Sequence, residues 1–245
     1  MSTYKTKGII LKRANLGEAD RILTIYTKDF GKIKAIAKGI RKIKSKLAGS
    51  LELFCLDDLM IAEGRNLDVI CGAVTEKCFY NLRNDLKATN TAYYLADVID
   101  KLSDEEEPHK EVYELLDELL SEINGENAEI LLPFFEIKFL SEMGYKPELF
   151  SCVSCKVKIK NGKNHFDFDE GGLVCEKCGK NQMQISEKAV KLLRLFLKHD
   201  IIYIKKINLD TKTVKEVEKV TQNYLKYSSG KEFKSERFVK YNINL

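Results

Sequence analysis

Four of the seven cysteines fall in one block, Cys152-Val-Ser-Cys155, then nineteen residues, then Cys175-Glu-Lys-Cys178. Two CxxC pairs at this separation lie in the range of structural zinc sites, and no other feature restricts the fold as tightly. Each CxxC turn can place two thiolates on one tetrahedral ion at about 2.3 Å. Gly179 after the second pair and Gly171-Gly172 before it leave room for tight turns. Four thiolates complete the shell and leave no open position for an activated water. The expected cofactor is therefore one structural Zn2+ per chain, held by Cys152, Cys155, Cys175 and Cys178 in a module at about 148–182. His165 lies inside the block, but the four thiolates leave it no ligand role. Cys55, Cys71 and Cys78 sit in apolar stretches and are expected to be small core residues.

The periodicity differs on the two sides of residue 78. Tyr4–Arg13, Arg21–Lys28, Lys32–Lys38, Leu51–Ala62 and Leu67–Val74 are β-branched or alternating runs separated by glycines. Five short strands in so short a stretch predict a small barrel, most economically a five-stranded OB-fold over 1–78. From residue 79 on the pattern is helical. Val112, Leu115, Leu116, Leu119, Leu120 and Ile123 form an amphipathic stripe. Thr91–Leu102, Asn127–Met143, Glu187–Lys198 and Thr211–Tyr227 also read as helices, with Pro133 expected to start or kink one, Ser186 to cap one, and Gly144 and Gly230 to stop two. The fold class is α+β: an OB barrel, then a helical domain over 79–245 that carries the four-cysteine zinc module. The apolar run Ile130–Phe135 is far shorter than a membrane helix needs, and the N-terminus has no secretory core between Lys5, Lys7, Lys12 and Arg13. A soluble, cytoplasmic protein with no membrane partner is expected.

A net charge of +4 hides a strong segregation. Residues 28–46 hold eight bases against Asp29 alone, and residues 97–129 hold thirteen acids against Lys101 and Lys110. A polyanion is expected to approach the first segment and avoid the second. The densest bases, Arg41, Lys42, Lys44 and Lys46 with Lys38 beside them, lie on a loop between two predicted strands. Lys34 projects from a strand, and Arg13, Arg21 and Arg65 extend the track, with Tyr26 or Phe30 available for stacking. These residues are the candidate nucleic-acid contacts. In the absence of a helix-turn-helix pattern, binding should tolerate sequence. No Walker A loop, GxGxxG or HExxH occurs, so no catalytic site is expected. Two alternatives remain on the residues alone. One is a zinc-containing OB-fold RNA-binding protein. The other is a metal-dependent nuclease using Asp57, Glu63 and Asp68.

The stretches Gly17-Glu-Ala-Asp-Arg-Ile-Leu-Thr-Ile-Tyr-Thr27, Gly31-Lys-Ile-Lys-Ala-Ile-Ala-Lys-Gly39 and Lys44-Ser-Lys-Leu-Ala-Gly49 resemble the RecO recombination-mediator family of bacteria. The likeness continues at Phe139-Leu-Ser-Glu-Met-Gly-Tyr-Lys-Pro147, at the first cysteine pair, at Gly171-Gly-Leu-Val-Cys175 and, more weakly, over Tyr224–Phe238. The resemblance implies an N-terminal OB-fold, a helical C-terminal domain with a zinc module, and a non-enzymatic, nucleoid-associated role in recombinational DNA repair. It implies binding of single- and double-stranded DNA, annealing of complementary strands, partnership with RecR, and loading of RecA onto strands coated by single-strand binding protein. The C-terminal stretch Lys226–Lys240 is less rich in Arg than is usual in that family.

Overall fold

The computed structural model describes residues 2–47 and 49–241. Five strands, β1 (Thr3–Leu16), β2 (Asp20–Thr27), β3 (Gly31–Ala37), β4 (Cys55–Ala62) and β5 (Asp68–Cys78), close into a barrel of order β1-β2-β3-β5-β4. Closure follows from the length of β1: its second half pairs with β2 (Arg13↔Leu23) and its first half with β4 (Thr6↔Leu59). The final seam is a short parallel pairing of β3 with β5, Ala35↔Asp68 and Ile36↔Val69. This is the OB arrangement that the alternation predicted. Ile10, Leu23, Ile25, Ile33, Leu59, Ile61 and Ile70 fill the interior.

The barrel ends at Cys78, but the compact unit containing it runs to Asn124 and takes in the residues from Phe233 onward. Helix α1 (Leu86–Leu102) starts at Asp85, whose side chain accepts from the Ala88 N–H at 3.1 Å. Helix α2 (Lys110–Glu122) buries Val112, Leu116, Leu119 and Leu120 of the predicted stripe. After Glu232 the chain returns to this unit: the Phe233 ring meets Tyr94 edge-on at 6.1 Å, and Ser235 donates to Asp97 Oδ2 at 2.8 Å.

The second unit is Gly125–Glu232. Its central helix, α3 (Ala128–Glu142), is largely apolar without a single apolar stripe and mostly buried, with Phe134, Phe135, Ile137 and Phe139 inside. Pro133 neither starts nor ends α3 but lies within it. Against it pack α4 (Glu187–Lys198), the single turn α5 (Ile201–Ile204) and α6 (Thr211–Ser229). Ser186 caps α4 through the Ala189 N–H at 3.2 Å, and Gly230, at φ 61°, ends α6. Between α3 and α4 lies a small sheet, β6 (Asn164–Asp167), β7 (Gly172–Cys175) and β8 (Met183–Ile185), in the order β7-β6-β8. A last helix, α7 (Glu236–Tyr241), belongs to the first unit. Among the described residues no helix is long and apolar enough to cross a membrane.

Candidate nucleic-acid interface and metal centre

The loop between β3 and β4 carries the densest basic cluster. Its root is ordered: Gly39 donates to Asp20 Oδ1 at 2.7 Å, Arg41 N to Ala19 O at 2.9 Å, and Arg41 Nη1 to Gly17 O at 3.1 Å. Ile40 is buried, and Leu47 packs against the barrel core, which together hold the loop down. Lys38, Arg41, Lys42, Lys44 and Lys46 are all exposed, and none is ion-paired among the described residues. This combination of fixed backbone and free cations suits contact with a phosphate chain.

The strand bases stand differently. Lys34 is exposed but ion-paired to Glu105, which raises its pKa through the hydrogen bond. Arg13 Nη1 lies 2.6 Å from Glu52, and Arg21 donates to Asn15 Oδ1 at 3.4 Å. Arg65 is exposed in the β4–β5 turn. Because β5 runs parallel to β3 from Asp68 beside Ala35, that turn lies toward the start of β3, whereas the basic loop leaves from its end. The structure therefore brings together Lys38–Lys46 and sets Arg65 apart. Tyr26 is fully buried and offers no stacking face, whereas Phe30 is 38% exposed and leans on Tyr4 at 4.5 Å.

The acidic segment, which the charge map expects a polyanion to avoid, lies against the basic strands of the barrel. Asp97 and Asp100 lie 3.4 and 2.6 Å from Lys12 Nζ, and Lys32 donates to Asp100 O at 2.5 Å. Residues 105–107 strap onto β3: Lys32 bridges Glu105 in parallel, Glu106 N donates to Lys32 O at 3.0 Å, and Glu107 passes against Gly31. Here β3 has no β5 partner, because their pairing begins at Ala35, and the strap fills that open edge. Thr24, Tyr26 and Lys32 on the outer face of β2 and β3 are buried, and burial pulls the Lys32 ammonium down.

The sulfurs of Cys152, Cys155, Cys175 and Cys178 all lie within 4.8 Å of one another, with Cys155 and Cys175 3.8 Å apart. A tetrahedron with metal–sulfur bonds of about 2.3 Å has edges of about 3.8 Å, so the set fits one ion. The first pair sits on a hairpin pinned by Cys152 N→Val157 O at 2.7 Å and Ile159 N→Phe150 O at 2.8 Å. The second begins at the last residue of β7 and closes through Cys178 N→Cys175 O at 3.0 Å. Burial would push the Cys152 thiol up, but the backbone N–H groups of Cys155 and Cys175 outweigh it and bring the pKa down to about 6. Cys175 is also lowered, first by the Cys178 N–H, whereas hydrogen bonds with Cys155 and Cys175 push Cys178 up to about 12. Four thiolates this close cannot all ionise without a cation among them. Asp57, Glu63 and Asp68 are not gathered. Asp57 is buried near the start of β4, while Asp68, bonded to the Tyr4 hydroxyl at 2.5 Å, opens β5 beyond the far end of that pairing, Ala62↔Val69.

The remaining cysteines depart in part from the sequence expectation. Cys55 is buried, but it faces Cys78 across β4 and β5 with Cα atoms 4.2 Å apart, and the two form a disulfide. Cys71 is exposed. Cross-strand register decides such a pairing, and no local spacing announces it.

Two family models account for almost the whole chain: Recombination protein O N terminal over residues 1–79 and Recombination protein O C terminal over 83–237. The DNA repair protein RecO of Dehalococcoides mccartyi is 36% identical over 235 residues, 95% of this chain and 93% of that protein. The RecO proteins of a Roseiflexus species and of Bacillus pumilus are each 32% identical, spanning 96% of this chain and 84% and 93% of theirs. With both halves matched and relatives aligned along nearly its full length, the chain belongs to the RecO family.

Proposed function

We propose that this protein is a DNA-binding recombination mediator in DNA repair and not an enzyme. It holds single- and double-stranded DNA, anneals complementary strands and, with RecR, helps load RecA onto DNA coated by single-strand binding protein. The observation that carries DNA binding is the exposed set Lys38, Arg41, Lys42, Lys44 and Lys46, free of ion pairs among the described residues, on an ordered loop. The family membership and the relatives' names support the repair setting. Annealing needs no chemistry. Two strands repel through their phosphates, and fixed cations that hold both reduce that repulsion. The four-cysteine set holds one structural zinc, with no place left for a reacting water.

Reversing the five loop bases to Glu is expected to lower affinity for single-stranded DNA at least about 100-fold and to abolish annealing. For the parent, about six phosphate contacts on a single strand give a slope of log affinity against log salt of roughly −4. Each exposed charge change costs under about 0.5 kcal/mol of stability, so helical circular dichroism should match the parent. A folded variant that still anneals, or a parent whose affinity ignores salt, would overturn the assignment. Matched DNA and RNA strands test the RNA-binding alternative.

A further inference from the structure

The hairpin that carries the first cysteine pair presents a surface that the barrel loop does not explain. Ser154–Lys158 is exposed without interruption, followed by Lys160. The side chains there are Lys156, Val157, Lys158 and Lys160, with Phe150 at 58% exposure across the hairpin. Hydrogen bonds and the cysteine cluster fix the backbone beneath them. Arg194 stands 4.9 Å behind the Phe150 ring and donates twice to Leu149 O, at 2.9 and 2.6 Å, so the ring is held as a plate. Balancing the metal does not account for these bases. A divalent ion on four thiolates is a dianion, whereas Lys156, Lys158, Lys160 and Lys177 supply four positive charges, two more than neutralise it.

We propose that this hairpin is a second binding surface, for single-stranded DNA, with Phe150 stacking on an unpaired base and Lys156, Lys158 and Lys160 meeting phosphates. A preformed aromatic plate among cations is the arrangement that sequence-tolerant single-strand binding uses, at about 1–3 kcal/mol per stacked base. A mediator that anneals must hold two strands, and a surface on each of its two compact units supplies that. This inference rests on the DNA-binding reading above.

The chain contains no Trp, so Phe150→Trp in the full-length protein installs a single indole reporter at the plate. Titration with a short oligothymidylate should quench its emission to saturation, and added salt should reverse the quench. Adding Lys156→Glu, Lys158→Glu and Lys160→Glu should weaken the affinity read by the indole at least tenfold, with metal content unchanged by elemental analysis. The same titration with the barrel-loop bases reversed separates this surface from the loop, and the quench should persist there. An indole that fails to respond at saturating DNA, an affinity left unchanged by the triple reversal, or a quench that vanishes on reversing the loop alone would overturn the hairpin as a site in its own right.

Discussion

With zinc held as proposed, replacing Cys152 with Ser should drop the bound ion from one per chain to none and unfold the module around 148–182. The expectation rests on how little else holds those residues. Strands β6, β7 and β8 are three or four residues each, and short strands in so small a sheet do not stand alone. Structural zinc binding in small modules carries an apparent free energy of about 10–16 kcal/mol near neutral pH, as large as a typical domain's whole stability. Amide hydrogen exchange should show protection lost over the module and kept in the barrel strands. Loop-mediated DNA binding should survive, while the response of an indole at position 150 should disappear. A zinc-free variant with an unchanged exchange pattern would show that the ion is dispensable for the fold.

The second large effect is expected at Gly31. Its φ of +65° lies in the left-handed region, and a Cβ built there would sit 2.0 Å from the Glu107 carbonyl oxygen. Both the strand's opening turn and the strap need the missing side chain. Gly31→Ala should cost about 2–3 kcal/mol, combining a strained backbone with displacement of the 105–107 strap. For a chain of this size that lowers Tm by roughly 5–10 °C. Losing the strap also releases Lys34 from Glu105, so affinity for DNA at low salt should rise while stability falls. An unchanged Tm would mean that the strap is not held where Gly31 places it.

Legibility in the sequence tracked the range of the interactions involved. The clustering of the four cysteines could be read because each CxxC pair is a local turn, and the barrel because alternation along each strand reflects one buried face. The basic loop was equally plain, since its charges lie together in the chain. What escaped depends on residues distant in sequence but adjacent in space. The pairing of Cys55 with Cys78 is set by cross-strand register. The neutralisation of Lys12, Lys32 and Lys34 by residues 97–105 needs the chain to fold back over some seventy to ninety positions. Tyr26 and Lys32 look exposed on an isolated strand and are buried in the folded chain. Helix α3 hides its role for the opposite reason, because, largely apolar and mostly buried, it shows no single stripe.

The return of the chain after Glu232 bears on the order of events during synthesis. Domains generally fold as units, the N-terminal one first, while the rest of the chain is still being made. Here the partners of Tyr94 and Asp97 are Phe233 and Ser235, which are translated only after the whole of the second unit. The barrel can form early, but the helix beside it stays without these contacts until residues 233–235 have emerged from the ribosome. The unit between them is a folded insertion, complete in sequence before its host. A nascent chain stalled near Glu232 would therefore carry a finished second unit and an unsealed first one, with Tyr94 open to a quality-control protease or to a neighbouring chain.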